Sequence, residues 1–414
     1  MCSTSLSVPA VILLSKILFK LKHNAIVLTL QKVLVVLFLF HSFFCVFPQS
    51  FNVRKDIRPQ IIAHRGDSFQ MPENTIPAFE LAIEKDVDFV ETDLVLTKDN
   101  VFVCFHDLTL ASGTDIRSHP EFAHLRVLLK NITYDDQVFT IEDDWLISDF
   151  TLKELKDLRV ITHNQNQLKY SSFSIPTFDE FMETVRRESL KRFLNGNKNP
   201  IGIMPELKHP SYFNALANTS NFMEKLFIKN LVKYGYSINI TEENNLKSGC
   251  EYELKSNVLP CNPLVVQCWE QGTIVYFYES AKSLRLLAVL WVNNVEFLTW
   301  KGMARLEGKT EFVGLSTEFL LDGAETAVEN AEPKVVYDRE KIKELGGFIP
   351  KEEIVSYVER LGMKVAVYTV YPETEREEIE YFIGMGVKAI FVEGLERAAK
   401  IRDEYFTKWN NKLK

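Results

Sequence analysis

The sequence predicts a parallel α/β protein closed into a TIM-type (β/α)8 barrel, with a small inserted subdomain after the third strand. Three observations predict it. Short, almost wholly apolar runs alternate with helix-patterned segments through most of residues 60–400, the pattern of strands covered on both faces. Polar and charged residues gather where those runs end, which is where barrel active sites lie. No Gly-x-Gly-x-x-Gly turn follows the first run, so a dinucleotide-binding sheet is disfavoured.

Taken in order, Gln60–His64 reads as a short buried strand. Asn74 caps a helix that has Pro77 in its first turn and Ile76, Phe79 and Ile83 on one face. Asp88–Leu96 and Val101–His106 are strands on either side of a Lys98-Asp99-Asn100 turn. Phe178–Arg187 and Phe222–Tyr234 are helices flanking the strand Gly202–Lys208. Leu264–Trp269, Arg285–Val292 and Lys364–Val370 are strands, the last preceded by a helix over Lys351–Leu361. Val387–Val392 is the final strand, and a closing helix follows Gly394. Residues 107–175 and 236–262 exceed ordinary loop lengths and read as insertions beside the active-site face. The barrel domain is expected over residues 58–405.

A composition of 46% hydrophobic and 25% charged residues, with 17 Gly and 15 Pro, excludes a disordered, collagenous or coiled-coil chain. Lys and Arg number 48 against 56 Asp and Glu, a net charge of −8. The first fifty residues hold four Lys and no acid, so the remainder carries −12, a poor field for nucleic acid. Residues 1–50 read instead as a signal peptide or signal anchor. Two apolar runs, Val8–Phe19 and Val33–Phe47, follow or flank Lys16, Lys20, Lys22 and Lys32. Lys on the N-terminal side directs the body to the lumen or the cell exterior whether or not the segment is cleaved. Sequons at Asn131, Asn218 and Asn239 agree with export. Cys250 and Cys261 bracket a short loop and are expected to form a disulfide there, two free thiols being the alternative. Cys104 and Cys268 lie in apolar runs and read as core residues.

The chemistry sits at four strand ends. His64 and Arg65 close the first. Glu91 and Asp93, two apart on the second, point the same way. In a barrel that face is the interior, a costly place for two charges unless a cation lies between them. Hard oxygen ligands of this kind suit Ca²⁺ or Mg²⁺. His106 ends the third strand, and Glu206 and Lys208 form another i, i+2 pair. Carboxylates to hold a metal, Arg65 to fork onto phosphate oxygens and two His to move protons compose a metal-assisted phosphoryl site. Each residue alone has a structural reading as a strand-edge group; their recurrence at successive strand ends argues against it.

These residues fall in motifs that resemble the glycerophosphodiester phosphodiesterase family. The likeness runs through Ala63-His64-Arg65-Gly66, Pro72-Glu73-Asn74-Thr75, Phe79–Ala82, Asp88–Asp93, Thr97–Asp99 and Phe105-His106-Asp107. It continues at Ile175–Phe178, Glu206–Lys208, Val266–Trp269 and Val367–Val370. The segment after His106, with Thr114-Asp115, His119–Phe122 and Ile147–Leu155, resembles the secreted, periplasmic-type and plant-type branch. The resemblance implies Glu91, Asp93 and Glu206 as metal ligands, His64 and His106 as the acid/base pair, and Arg65 and Lys208 as phosphate contacts. Glu73 is a further active-site candidate. Two positions depart from the family pattern: Glu393-Gly394 stands where Thr-Asp is usual, and Asp67 follows His-Arg-Gly where a small residue is commoner.

The implied reaction is metal-dependent hydrolysis of a small-molecule glycerophosphodiester to sn-glycerol 3-phosphate and an alcohol, with no nucleic-acid partner and membrane contact only through the N-terminal segment. A lysophospholipase D or sphingomyelinase-D-like enzyme would keep the same site and add an apolar acyl groove at its mouth. An inactive ligand-binding surface protein would have lost a histidine or carboxylate, and none is lost. The alcohol, the oligomeric state and cleavage of the leader stay open.

Overall fold

The computed structural model describes residues 58–412 except 136, 162–171, 198–199, 239–250 and 333. The expected leader (residues 1–50), Asn239 and Cys250 lie outside the described residues. Strands are β1 (Gln60–Ala63), β2 (Phe89–Leu96), β3 (Phe102–Cys104), β4 (Val127–Tyr134), β5 (Gln137–Asp144), β6 (Gly202–Leu207), β7 (Glu251–Leu254), β8 (Asn257–Pro260), β9 (Val265–Cys268), β10 (Arg285–Leu290), β11 (Phe312–Ser316), β12 (Lys364–Val370) and β13 (Ala389–Val392). β1, β13, β12, β11, β10, β9, β6 and β2 pair in that order, all in parallel, and a β1–β2 pairing closes the ring. This is the (β/α)8 barrel.

Residues at two-residue spacing fill its interior in layers, because alternate strand side chains share a face. Ile62, Phe89, Met204, Val265, Leu287, Phe312, Ala366, Ala389 and Phe391 form one apolar plug. Two residues on, β2 and β6 present Glu91 and Glu206 to a cavity above it, and β9 presents Gln267. Gly202 is required beneath this layer: a Cβ there would lie 2.4 Å from the Phe89 ring. A second, larger core seals the outer strand faces against the helices, with Phe79, Phe178, Phe181 and Phe227 wholly or almost wholly buried.

Three expectations need correction. Val101–His106 is not a barrel strand. Its ordered part, β3, runs antiparallel to the upper end of β2, with Leu94 opposite Cys104. The third barrel strand is β6. Asn74 does not cap the helix Ile76–Glu84; Thr75 holds that position without a side-chain bond, and Asn74 sits at φ 55° with its side chain turned to the barrel. The two insertions lie at opposite ends. The first carries the β4–β5 hairpin, whose Tyr134 and Phe139 line the cavity. The second, with the β7–β8 hairpin, leads into the start of β9, and Asn262 bonds Ser189 and the Ile201 carbonyl just before β6. Its described part, residues 251–262, therefore lies at the N-terminal face of the strands, away from the site. β11, whose apolar run is interrupted by Gly314, is a barrel strand beyond those expected from the sequence.

Cys104 and Cys268 are free and buried; Cys261 is disulfide-bonded. Asn131 and Asn218 are exposed. No helix among the described residues is long and apolar enough to cross a membrane.

At the base of the barrel Glu311 receives hydrogen bonds from Arg285 Nε at 2.7 Å and Lys364 Nζ at 2.7 Å. Burial opposes the charge, but these two cations hold its carboxyl down to about 2, below the ordinary 4.5. Its folded pKa lies below its unfolded one, so the ion cluster stabilises above about pH 4.5 and that stabilisation is lost as pH falls toward 2. Glu311→Gln should cost about 1 kcal/mol at pH 7, after allowance for solvent screening. Urea titrations of both proteins should show the gap closing between pH 4.5 and 2; a gap constant with pH would contradict the assignment.

Candidate active site

The site occupies the C-terminal mouth of the barrel, around a cavity of about 470 Å³. Asp93 on β2 lies opposite Glu206 on β6, and Glu206 opposite Gln267 on β9, so register brings them to one level. Carboxylate oxygens of Glu91, Asp93 and Glu206 lie within 4.8 Å of one another. The three side chains are buried, with exposures of 1%, 1% and 8%. Burial, then repulsion from Asp93 and Glu206, pushes the Glu91 carboxyl well above its ordinary range. Burial also opposes the charge on Asp93, but Arg65, His106 and Lys208 overcome it and hold that carboxyl far down. One carboxyl raised and its neighbour lowered is what excess negative charge in a small apolar well produces. A divalent cation fits this oxygen-only donor set.

The turn after β1 aims the cations. Arg65 (φ 58°) and Gly66 (φ 82°) both take left-handed backbone. A Cβ on Gly66 would lie 2.7 Å from the Ala78 carbonyl carbon, so only glycine lets the helix Ile76–Glu84 approach. The Arg65 amide donates to Glu91 Oε2 at 2.6 Å. Its Nη1 donates to both Glu73 oxygens at 2.9 and 2.8 Å, and Nε lies 3.1 Å from Asp93 Oδ2. Among the described residues no hydrogen bond is made by Nη2 of that guanidinium. Lys208 Nζ donates to Glu206 Oε1 at 3.2 Å and stands 3.9 Å from Asp93.

The β2–β3 hairpin delivers His106. It overshoots the rim and returns, so that the Phe105 amide bonds the Asp93 carbonyl and His106 arrives beside Asp93. Asp107 Oδ1 sits 2.5 Å from His106 Nδ1, and Asp107 Oδ2 accepts from Ser112 Oγ. Burial opposes the Asp107 charge, yet the bond to His106 keeps its carboxyl down at about 2. Across the mouth, His64 Nδ1 lies 3.4 Å from Glu393 Oε1. Each imidazole thus has a carboxylate at Nδ1, which leaves Nε2 for substrate.

All seven residues of the expected core, together with Glu73, are brought together. Asn131 and Asn218 are on the surface and belong to no site. Four residues that sequence reasoning did not assign also belong here. Asn74 donates from Nδ2 to Asp93 Oδ2 at 2.9 Å and accepts from Thr92 Oγ1 and the Asp93 amide. Gln267 donates to Glu91 Oε1 at 3.1 Å. Asp107 holds His106, and Glu393 Oε1 stands 3.4 Å from His64 Nδ1. Asn74, Asp107 and Gln267 all fall inside motifs already singled out, but their partners are distant in sequence. Asp67, the other departure from the family pattern, is wholly buried and paired with Lys85 at 2.7 Å, which ties the first turn to the following helix.

The fold and this constellation place a buried acidic triad, two cations and two histidines at the mouth of a (β/α)8 barrel. The glycerophosphoryl diester phosphodiesterase family matches residues 64–396, and the chain belongs to that family. Glycerophosphodiester phosphodiesterase GDPD6 of Arabidopsis thaliana is 32% identical over 247 residues, 58% of this chain and 58% of its own length. A glycerophosphodiester phosphodiesterase of Haemophilus influenzae is 32% identical over 189 residues, 42% of this chain and 46% of its own length. The chain thus spans about half the length of these curated relatives. Among solved structures, an Oleispira antarctica phosphodiesterase bound to sn-glycerol-3-phosphate matches with TM-score 0.50 and 18% identity, covering 83% of this chain and 97% of that one. A Silicibacter pomeroyi structure matches at 0.56 and 16%, covering 85% and 95%. At these identities the structures show a shared fold.

Asn74 supplies the test of this geometry. Asn74→Ala removes the donor that orients Asp93 and should weaken divalent-ion affinity about 10–100-fold, as loss of a ligand's supporting partner does. Calorimetric titration with Ca²⁺ and Mg²⁺ measures it; unchanged affinity would leave Asn74 a purely structural residue.

Proposed function

We propose that the protein hydrolyses glycerophosphodiesters to sn-glycerol 3-phosphate and an alcohol, using a Ca²⁺ or Mg²⁺ ion held by Glu91, Asp93 and Glu206. The observation that carries the reading is the buried acidic triad, flanked by Arg65 and Lys208 and faced by two carboxylate-backed histidines. A bound divalent ion supplies charge neutralisation at the phosphate oxygens. Arg65 Nη2 and Lys208 Nζ bind the same oxygens and fix the phosphate over the triad. One of His64 and His106 takes a proton from the attacking oxygen, and the other gives one to the departing alkoxide as its P–O bond breaks. Glu393 and Asp107 hold the two rings in orientation for that exchange.

Cavity chemistry favours a water-soluble diester over a lysolipid. Leu287 and Val289 are the aliphatic residues among those lining the cavity, too few for an acyl groove. An inactive binding protein is disfavoured by the intact set of histidines and carboxylates.

The compartment is the second part of the reading. The basic-then-apolar leader, exposed Asn131 and Asn218, and the disulfide at Cys261 support export to the lumen or cell exterior. Asn239 and the pairing of Cys250 with Cys261 are further elements of this proposal. Expressed through a eukaryotic secretory pathway, the chain should lose apparent mass on glycosidase treatment. Recovery as an unglycosylated cytosolic protein would overturn export.

Activity is tested by release of glycerol phosphate from a diester panel, with Ca²⁺, Mg²⁺ or chelator. Glu91→Ala, Asp93→Ala and Glu206→Ala should each abolish ion-dependent turnover; wild-type activity of any of them in chelator would sink the metal assignment. His64→Ala and His106→Ala should each lose about 10²–10⁴-fold in kcat. Substrate binding should survive better, because Arg65 and Lys208 remain. Normal kcat with ruined binding would make that histidine a phosphate contact instead.

A further inference from the structure

The cavity has two chemically distinct halves. His64, Glu91, Glu206 and Lys208 come from β1, β2 and β6, one arc of the ring. The opposite arc, β9 to β12, ends in Trp269, Trp291, Glu318 and Tyr371, each just beyond its strand. With phosphate held over the first arc, one of the two halves of the diester extends over the second.

Aromatic rings wall that second arc. Tyr134 and Phe139, flanking the β4–β5 turn, stack at 4.0 Å with an interplanar angle of 2°. Tyr134 meets Trp269 at 5.7 Å and 82°, and Trp269 meets Trp291 at 6.1 Å and 82°. Successive rings near right angles make the corner of a box rather than a flat stack. The hairpin is tied to the rim by Asn293 Nδ2 donating to Gln137 Oε1 at 3.0 Å and by the Asp135 amide donating to Ser211 Oγ at 2.8 Å. The aromatic wall is therefore anchored at both sides.

Charge completes the selection. Glu318 is the charged residue that β9 to β12 contribute to the lining, and its carboxylate makes no ion pair among the described residues. Every basic lining group belongs to the phosphate side or to the neighbouring His209. Burial, then the charges of Lys208 and His106, keeps that imidazole well below its ordinary range, hence neutral. Electron-rich ring faces with one unpaired carboxylate attract a diffuse, poorly hydrated cation.

We propose that the rings of Tyr134, Phe139, Trp269 and Trp291, with Glu318, form an alcohol subsite selective for a quaternary ammonium alcohol over a primary amine or a neutral polyol. The proposal deepens the phosphodiesterase reading by assigning the leaving group of that site. A trimethylated ammonium presents methyl groups to the ring faces and asks for no hydrogen bond. A primary ammonium keeps tightly held water that this wall cannot replace.

Two measurements on the purified full chain test it. The first is binding alone, by tryptophan fluorescence and calorimetry, with choline and ethanolamine as probes. Choline should bind more tightly; Trp291→Ala should remove about tenfold of that preference, and Glu318→Gln should weaken both cations about tenfold. Both residues are exposed at the rim, and unchanged melting temperatures will show that the fold is kept. Equal binding of the two probes, or a preference that Trp291→Ala leaves unchanged, would overturn the box. The second is kcat/KM on glycerophosphocholine, glycerophosphoethanolamine and glycerophosphoglycerol, with lysophosphatidylcholine as the lipid source of the same head group. The choline diester should lead, and its lead should shrink about tenfold in Trp291→Ala. Cleavage of all three diesters at one rate would overturn the subsite while leaving the phosphodiesterase reading intact. No hydrolysis of any diester, with choline binding retained, would overturn that reading and leave the box. Turnover of lysophosphatidylcholine with the same Trp291 dependence would support the box and move its natural source to a lipid.

Discussion

Three carboxylates buried within 4.8 Å of one another at the mouth of a barrel are the constraint on which the rest of this structure depends. Glu91, Asp93 and Glu206 cannot all be charged in an apolar well without compensation. Much of the surrounding architecture supplies it. Arg65 and Lys208 reach in from neighbouring strands, the Arg65 amide and Gln267 donate to Glu91, and Asn74 donates to Asp93. Two cations against three acids leave room for a divalent ion, and the opposed shifts of Glu91 and Asp93 report that imbalance.

Backbone conformation serves the same end. Arg65, Asn74 and His209, which lack glycine's backbone freedom, take left-handed conformations around the site. Such conformations cost about 1–3 kcal/mol each and persist where the surroundings enforce them. At Arg65 the strain turns the amide toward Glu91 and the guanidinium toward Asp93. At Asn74 it lets the side chain reach back across the first helix start. Placing function on short βα turns over a rigid plug is the usual logic of this fold, and here the plug of Phe89, Met204, Leu287 and Phe391 holds the acids at a fixed depth.

The catalytic face is not made by the barrel alone. His106 comes from a hairpin that leaves the ring and folds back, and the aromatic side of the cavity comes partly from an insertion. These additions are where members of one fold differ, because loop changes at the mouth leave the strand ring untouched. Glu393, just beyond the last barrel strand, sets a carboxylate 3.4 Å from His64 Nδ1.

What the sequence determined by itself is local and periodic. Near-continuous apolar strands, the i, i+2 spacing of Glu91 with Asp93 and of Glu206 with Lys208, and the His-Arg-Gly turn were enough to foresee the barrel, its polar rim and six of the side chains that the fold gathers there, His106 being the seventh, at the end of a run that proved to be a hairpin arm. Strand alternation is a backbone property, so it can be read from neighbouring residues alone. The sequence did not determine which side chains support that core. Asn74 looked like a helix cap because its neighbours are helical, and only the fold reveals Asp93 in reach of its amide. Asp67, read as a departure from pattern, became the partner of Lys85, and the insertion over residues 236–262 was placed on the wrong face. Each depended on a contact between residues far apart in sequence. Such contacts follow from strand register and ring closure, which the complete set of strands decides together.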